Sequence, residues 1–187
     1  RYTTTMNQEM KRRVTACAAG FSLPRYRELP SVGLYLDQTV QLVNSCFRGF
    51  PGVSSPPHGE QLRQERSHLP PRQKEYSREQ LASLIYIVLS KNVLSLENID
   101  TLFQMRGLLH RAEAYDYFCD EVENCLPYIF GASSTICGLD PDADDEKRLL
   151  RGTIVAAVNK MYLDCCFVAM RQEEALVAGD PWATYNK

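Results

Sequence analysis

Carboxylates are the most numerous side chains of chemical interest in this chain of 187 residues, and one group of them surrounds two tyrosines. The group lies between residues 115 and 123 and consists of Asp116, Asp120, Glu121 and Glu123. Paired acids of this kind can serve in general acid–base catalysis. No histidine, nucleophile or glycine-rich phosphate loop accompanies them, so the pattern favours a solvent-facing helix surface and predicts no enzyme.

A second acidic group, Asp140 to Asp145, begins like a calcium-binding loop. An EF-hand requires glycine at its sixth position and glutamate at its twelfth, where this chain has Asp145 and Arg151. We therefore interpret the group as the acidic start of a helix, where the helix dipole stabilises negative charge. No calcium site is predicted.

The cysteines are odd in number, and no two of them have Cys-x-x-Cys spacing. The three histidines do not complete a set with metal-ligand spacing. The sequence therefore predicts buried, reduced thiols in a cytoplasmic protein, with neither a metal nor a cofactor. The seven residues are Cys17, Cys46, Cys119, Cys125, Cys137, Cys165 and Cys166.

Basic residues cluster before and at the start of a predicted helix, at Arg63, Arg66, Arg72, Lys74 and Arg78. Glutamates are interleaved with them, at Glu60, Glu65, Glu75 and Glu79. Taken alone, the cluster is as well explained by a mixed-charge surface as by a binding site. DNA binding gains support from the order of elements: a helix, a turn, a second short segment, and then a basic stretch that leads into another helix.

Composition places the chain among ordinary globular proteins, with 44% hydrophobic and 24% charged residues. The formal net charge is −2, so no global charge points to nucleic acid or to an anionic membrane. No apolar run approaches the ~20 residues of a membrane span, and we expect no membrane partner.

Hydrophobic periodicity and helix-stop residues predict a mainly α fold. Pro127 is expected to end or kink the fifth helix. The predicted helices are Asn7 to Ala19, Gly33 to Phe47, Arg78 to Asn92, a fourth helix capped by Ser95, Arg111 to Leu126, and Pro141 to Ala175.

The third of these helices has the clearest pattern. Ser77 is a favourable N-cap, and apolar residues follow with helical spacing at Leu81, Leu84, Ile85, Val88 and Leu89. Residues 54–73 before it are irregular, and Leu62 is the only large apolar residue between Gly59 and Arg66. A helix there would have little apolar surface to bury.

Several stretches resemble the bacterial domain-of-unknown-function 1836 family, whose members carry a MerR-like helix-turn-helix. The resemblance covers about residues 6–167. It implies a helix-turn-helix DNA-binding domain over residues 1–106, a helical C-terminal region over 107–187, and the function of a transcriptional regulator. The matching stretches are Leu29-Pro-Ser-Val-Gly-Leu-Tyr-Leu-Asp-Gln-Thr-Val40, Lys74-Glu-Tyr-Ser-Arg-Glu-Gln-Leu81, Val93-Leu-Ser-Leu-Glu-Asn-Ile99, Tyr115 to Glu121, and Asn159 to Asp164.

The departure from the family lies at its DNA-recognition helix, which usually resembles Met-Val-Ser-Asn-Tyr-Val-Lys followed by a Gly-Leu-Ile turn. This chain has His58-Gly-Glu-Gln-Leu-Arg-Gln-Glu65 there. One codon spelling of that octapeptide is CAT GGT GAG CAA CTA CGT CAA GAA. Read one base later, the same bases encode Met-Val-Ser-Asn-Tyr-Val-Lys. We therefore hypothesise a frameshift that begins near residues 53–55 and is restored before Lys74.

The favoured hypothesis is a helix-turn-helix DNA-binding regulator whose binding to double-stranded DNA is impaired in this chain. The alternative is a helical protein-interaction or ligand-sensing module without DNA binding. The last helix could also form a homodimer through Ile154, Val155, Val158, Met161, Tyr162 and Phe167, although the same residues could simply be core. The predicted DNA-contacting residues are Gln61, Arg63, Arg72, Lys74, Ser77 and Arg78.

Overall fold

The computed structural model describes residues 5–53, 75–105 and 112–177, and within these ranges the chain is mainly helical, as predicted. The described residues form no β-strand; a single antiparallel bridge joins Leu34 and Tyr76. The helices are α1 (Gln8–Cys17), α2 (Leu36–Cys46), α3 (Arg78–Ser90), α4 (Leu96–Gln104), α5 (Ala112–Ile129) and α6 (Asp145–Val177), with a short 3₁₀ helix at Tyr26–Glu28.

Polar caps fix where α3 and α4 begin, and both predicted caps are confirmed. The Ser77 hydroxyl accepts a hydrogen bond from the Gln80 N–H, and the Gln80 side chain accepts one from the Ser77 N–H, at 3.3 and 3.0 Å. At α4 the Ser95 hydroxyl accepts from the Asn98 N–H at 3.2 Å. Each cap satisfies N–H groups that the first turn of a helix leaves without partners.

Several helices differ from their predicted bounds by two or more residues, and the differences at α6 and α5 have local causes. α6 begins at Asp145 rather than Pro141, because the Asp140 carbonyl closes a turn with the Ala143 N–H at 2.9 Å. The Asp144 carboxylate then caps the helix by accepting from the Lys147 N–H at 2.9 Å. α5 does not end before Pro127 but continues to Ile129, so the proline lies in its last turn.

The helix α3 occupies the centre of the fold. All ten residues from Leu81 to Ser90 are buried, including the polar Ser83. The predicted apolar stripe is therefore only part of its buried surface, since a helix that is buried on every side has neighbours all round. α3 packs against both α2 and α6.

The helix α6 is the common partner of α1, α3 and α5. One buried cluster contains Val14 of α1, Leu81 of α3 and Met161 of α6, so the core includes residues from both predicted domains. The predicted boundary at residue 106 lies outside the described residues.

By length and composition, α6 is also the one helix among the described residues that could cross a membrane. The sequence pattern alone does not reveal this, because its longest uninterrupted apolar stretches are short. A core helix of a soluble protein passes the same test, and 44% of the most apolar window of α6 is buried inside this structure.

The connector between α1 and α2 is held against α5 by carboxylates that the sequence pattern assigns to a solvent-facing surface. Arg25 forms ion pairs with Asp120, at 2.8 Å, and with Glu123. The Tyr26 N–H donates to the Asp116 carboxylate at 2.7 Å. The expectation of a solvated acidic face is wrong for Asp116 and Glu123, whose partners lie about 90 to 100 residues away along the chain, whereas the Asp120 side chain is 67% exposed.

Stability should depend on pH through Glu123. Burial alone would raise the pKa of Glu123, but hydrogen bonds from Arg25 and from the Leu23 N–H outweigh it and hold the pKa below the usual 4.5. A depressed native pKa stabilises the fold above pH 4.5, and this contribution is lost as the pH falls through the native value.

We expect the free energy of unfolding, measured by urea titration between pH 3 and pH 7, to fall less steeply with acidification in Glu123→Gln than in the unaltered chain. Glu113→Gln on the same helix is the control, and its pH profile should follow that of the unaltered chain. Identical profiles for Glu123→Gln and the unaltered chain would contradict the assignment.

Candidate functional site

The junction of α2 and α3 is the part of the described structure that corresponds to the predicted DNA-binding region. Leu34 and Tyr76 exchange backbone hydrogen bonds of 3.0 and 2.8 Å, which hold the residues before α2 against those before α3. Residues 54–74 connect these two helices, and the chain on either side of them is anchored by the buried side chains of Val53 and Tyr76. The described residues that flank this segment therefore belong to the core.

Gly33 makes the close approach at this bridge possible. A Cβ atom added to Gly33 would lie 2.9 Å from the Cβ atom of Glu75 and 2.6 Å from its carboxylate. A carboxylate can rotate away, but the Glu75 Cβ is fixed by the backbone that forms the bridge. Only glycine fits without displacing one of the two segments.

The substitution Gly33→Ala should destabilise the protein by about 1–3 kcal/mol, because the bridge must open to relieve the overlap. Gly138→Ala is the matched control, since an added Cβ there meets no atom within 4 Å. Thermal and urea denaturation of both variants test this. Equal stability of the two alanine variants would show that the contact between Gly33 and Glu75 leaves room for a Cβ atom.

Two predicted DNA-contacting residues, Ser77 and Arg78, lie at this junction and have structural partners. Ser77 is exposed and caps α3. Arg78 donates from Nε to the Leu29 carbonyl at 2.9 Å, and its guanidinium lies 5.7 Å from the centre of the Tyr26 ring. Arg78 therefore ties the start of α3 to the connector that precedes α2.

The other four predicted DNA-contacting residues, Gln61, Arg63, Arg72 and Lys74, lie outside the described residues. At the described side of the junction, the charged neighbours of Ser77 are Glu75, Arg78 and Glu79. Two of these are acidic, and the cation is engaged by a carbonyl and an aromatic ring. These described neighbours of Ser77 therefore supply no excess of positive charge for phosphate contacts.

A second surface lies on α6. Three large apolar side chains on one side of the helix are exposed: Leu149, Leu163 and Phe167 are 46%, 47% and 51% accessible. Gly152 and Ala156 continue the same side between them, and an added Cβ at Gly152 meets no atom within 4 Å. We call these five residues the α6 face.

Most of the predicted dimer residues do not belong to the α6 face. Ile154, Val158 and Met161 are completely buried in the core of the same chain, while Val155 and Tyr162 are half-buried against it. Only Phe167 of the predicted set is exposed. Sequence periodicity identifies an apolar helix but does not show which apolar side the rest of the chain covers.

Two open grooves lie along α6, one near its start and one in its second half. The larger, about 310 Å³, lies between α5 and the start of α6, with Tyr117 and Leu150 in its lining and carboxylates such as Glu113 beside them. The smaller, about 190 Å³, lies between α1 and α6 and contains Arg13, Cys17 and Cys165. Sequence reasoning missed this second group, because Cys17 and Cys165 are far apart along the chain.

Comparison of the chain with protein-family models, with curated proteins and with solved structures gives no match. The resemblance to a helix-turn-helix family therefore stays a prediction that rests on the matching stretches of sequence. Within the described residues, no three histidine, cysteine or acidic side chains are placed together so that they could hold a metal ion.

Proposed function

We propose that the chain is a non-enzymatic regulator of the helix-turn-helix type that binds double-stranded DNA weakly with its present sequence. The observation that carries this proposal is the α2–α3 junction. The two helices pack together, and Val53 and Tyr76, which flank the segment to which the resemblance assigns the recognition helix, are buried in the same core. In such folds a rigid helix pair presents a recognition helix to the major groove.

The weak binding follows from charge. Non-specific affinity for DNA comes mainly from cations that neutralise phosphates. Arg78 is engaged by Leu29 and Tyr26 and is flanked by Glu79. Residues 58–65 replace the apolar and polar pattern of the family helix with a sequence that includes Glu60 and Glu65, which phosphates repel. The other basic residues of the cluster before α3, Arg63, Arg66, Arg72 and Lys74, are interleaved with Glu60, Glu65 and Glu75, so the net positive charge is small.

The experiment compares two chains that differ only in residues 58–68. In one, these residues are replaced by the sequence encoded by the shifted frame, Met-Val-Ser-Asn-Tyr-Val-Lys-Asn-Gly-Leu-Ile. Fluorescence anisotropy on duplex DNA at about 50 and 200 mM salt should show binding by this variant with a steep salt dependence. The unaltered chain should bind weakly at both concentrations.

Lys74→Gln in the shifted-frame variant is the control for phosphate contact, and it should lower the slope of the salt dependence by about one. Tight, salt-sensitive binding by the unaltered chain would overturn the proposal of impaired binding. A folded shifted-frame variant that does not bind duplex DNA would overturn the helix-turn-helix assignment itself.

The α6 face favours a second candidate function, a helical interaction module that associates with a second copy of itself. Gly152 and Ala156 are four residues apart, and so are Leu163 and Phe167. In an antiparallel pair of α6 helices about a two-fold axis, Gly152 would therefore lie opposite Phe167, and Ala156 opposite Leu163. Each small residue would receive a large one, which is how closely packed helices interdigitate.

No unpaired charge lies at the centre of this helix pair. The two-fold axis would pass between Asn159 and Lys160, and the Lys160 ammonium is already paired with Asp164 at 2.6 Å on the same helix.

Sedimentation analysis should give a dimer for the unaltered chain and a monomer for Phe167→Glu. Leu176→Glu, which is equally exposed outside the α6 face, should leave the dimer intact. A monomeric unaltered chain would exclude this candidate.

A further inference from the structure

The groove between α1 and α6 brings two thiols together. Cys17 lies in the last turn of α1 and Cys165 in the second half of α6, and both line the groove of about 190 Å³. Their side chains interact electrostatically across the groove, and this interaction adds to the effect of burial in raising the pKa of Cys165. The α1–α6 packing creates this pair, since 148 positions separate the two residues (165 − 17).

The two thiols have different environments. Cys17 is half-buried and accessible from the groove, whereas Cys165 is only 5% exposed. The side chain of Arg13 lies in the same groove and places a cation near Cys17, although Glu173 partly balances it with an ion pair of 3.5 Å. Burial raises the pKa of Cys165 to about 12, so this residue stays a thiol at neutral pH. A reagent would therefore meet Cys17 first.

Both residues pack against the hydrophobic core, but packing alone does not require that two thiols share a groove. A cysteine that serves only as a small apolar core residue is buried, as Cys125 is, whereas Cys17 is open to the groove. A zinc site needs about four ligands, and the described residues around the pair supply no third histidine, cysteine or carboxylate ligand. Two adjacent thiols with one accessible member are instead suited to two-electron oxidation.

We propose that Cys17 and Cys165 are a redox-active pair that closes to an intramolecular disulfide when a peroxide enters the groove. The Cys17 thiolate attacks one oxygen of hydrogen peroxide, the O–O bond breaks, and hydroxide leaves to be protonated to water. Cys17 is then a sulfenic acid. The Cys165 sulfur attacks the Cys17 sulfur, the S–O bond breaks, and the departing hydroxide takes the Cys165 proton as a second water. Two thiols lose two electrons and the peroxide gains them.

The experiment uses the full chain with Cys137→Ser, because Cys137 is the exposed cysteine among the described residues and would form intermolecular disulfides. The reduced protein is treated with one equivalent of hydrogen peroxide and mapped by mass spectrometry without reduction. The expected product is a monomer that has lost two hydrogen atoms and yields a Cys17–Cys165 cross-linked peptide. The oxidised protein should melt about 5–10 °C above the reduced protein, because the disulfide closes a long loop of the unfolded chain. Reduction of the disulfide should restore the original melting temperature.

Cys166→Ser is the matched control, since Cys166 is the equally buried neighbour of Cys165, and this variant should still form the disulfide. In Cys165→Ser, dimedone should trap Cys17 as a sulfenic acid in place of the cross-link. Oxidation of Cys17 that leaves Cys165 as a free thiol in the unaltered pair, or a cross-link of Cys17 to any other cysteine, would overturn the proposal. So would a Cys17 that peroxide does not oxidise.

Discussion

Replacing Arg151 with methionine is expected to destabilise the protein by about 3–5 kcal/mol, because it leaves the carboxylate of Glu121 buried without its partner. The two side chains are only 15% and 10% exposed and form a bidentate ion pair between α5 and α6. The hydrogen bonds that Arg151 donates to the Glu121 carboxylate raise the pKa of Arg151, as expected for an arginine that is held in its charged form. Arg151 also donates to the Cys137 carbonyl at 3.0 Å, which fixes the loop before α6.

Two comparisons test this expectation. The double variant Glu121→Leu with Arg151→Met should recover most of the lost stability, because replacing a whole buried pair by apolar residues is often neutral. Lys160→Met breaks a more exposed pair on the same helix and should change stability by less than about 1 kcal/mol. Urea unfolding of the unaltered chain and the three variants measures the free energy of unfolding of each. If the double variant loses as much stability as Arg151→Met, the unpaired Glu121 charge is not the cause of the destabilisation.

The substitution Phe118→Ala should cost about 3–5 kcal/mol in unfolding free energy. The Phe118 ring is completely buried and lies edge-on to Tyr86, with ring centres 5.4 Å apart, and next to Tyr115 at 6.0 Å. It joins α5 to the buried helix α3, so its removal leaves a cavity that rigid aromatic neighbours cannot fill.

Tyr117→Ala on the same helix is the control for Phe118→Ala. Tyr117 is half-buried at the edge of the larger groove, and its loss should cost about 1 kcal/mol or less. Thermal denaturation followed by circular dichroism compares the two variants at equal protein concentration. Similar melting temperatures for them would mean that the core around α3 relaxes more easily than its packing indicates.

Features that depend on neighbouring residues could be predicted from the sequence. The start of α3 at Ser77 and of α4 at Ser95 follows from side chains that cap N–H groups three positions on. The mainly α fold follows from apolar spacing. The all-round burial of α3 was not predictable in this way, because burial depends on which other helices surround it.

In the candidate sites, too, positions along the chain were predictable and contacts between distant residues were not. The position of Arg78 in the first turn of α3 was predictable, but its contacts with Leu29 and Tyr26 were not, since the partners are about 50 residues away. The bonds of Asp116 and Glu123 to the connector, and the meeting of Cys17 with Cys165, likewise join distant parts of the chain. Local patterns carry no information on such pairs.

The position of α6 as common partner of α1, α3 and α5 has a consequence for how the protein is made. α6 is the last helix of the described chain, so these earlier helices leave the ribosome before the surface that buries them exists. Their apolar sides must stay exposed during synthesis, which is the period when chaperones and aggregation compete for a nascent chain. The emergence of α6 from the ribosome is therefore the event that completes the core among the described helices.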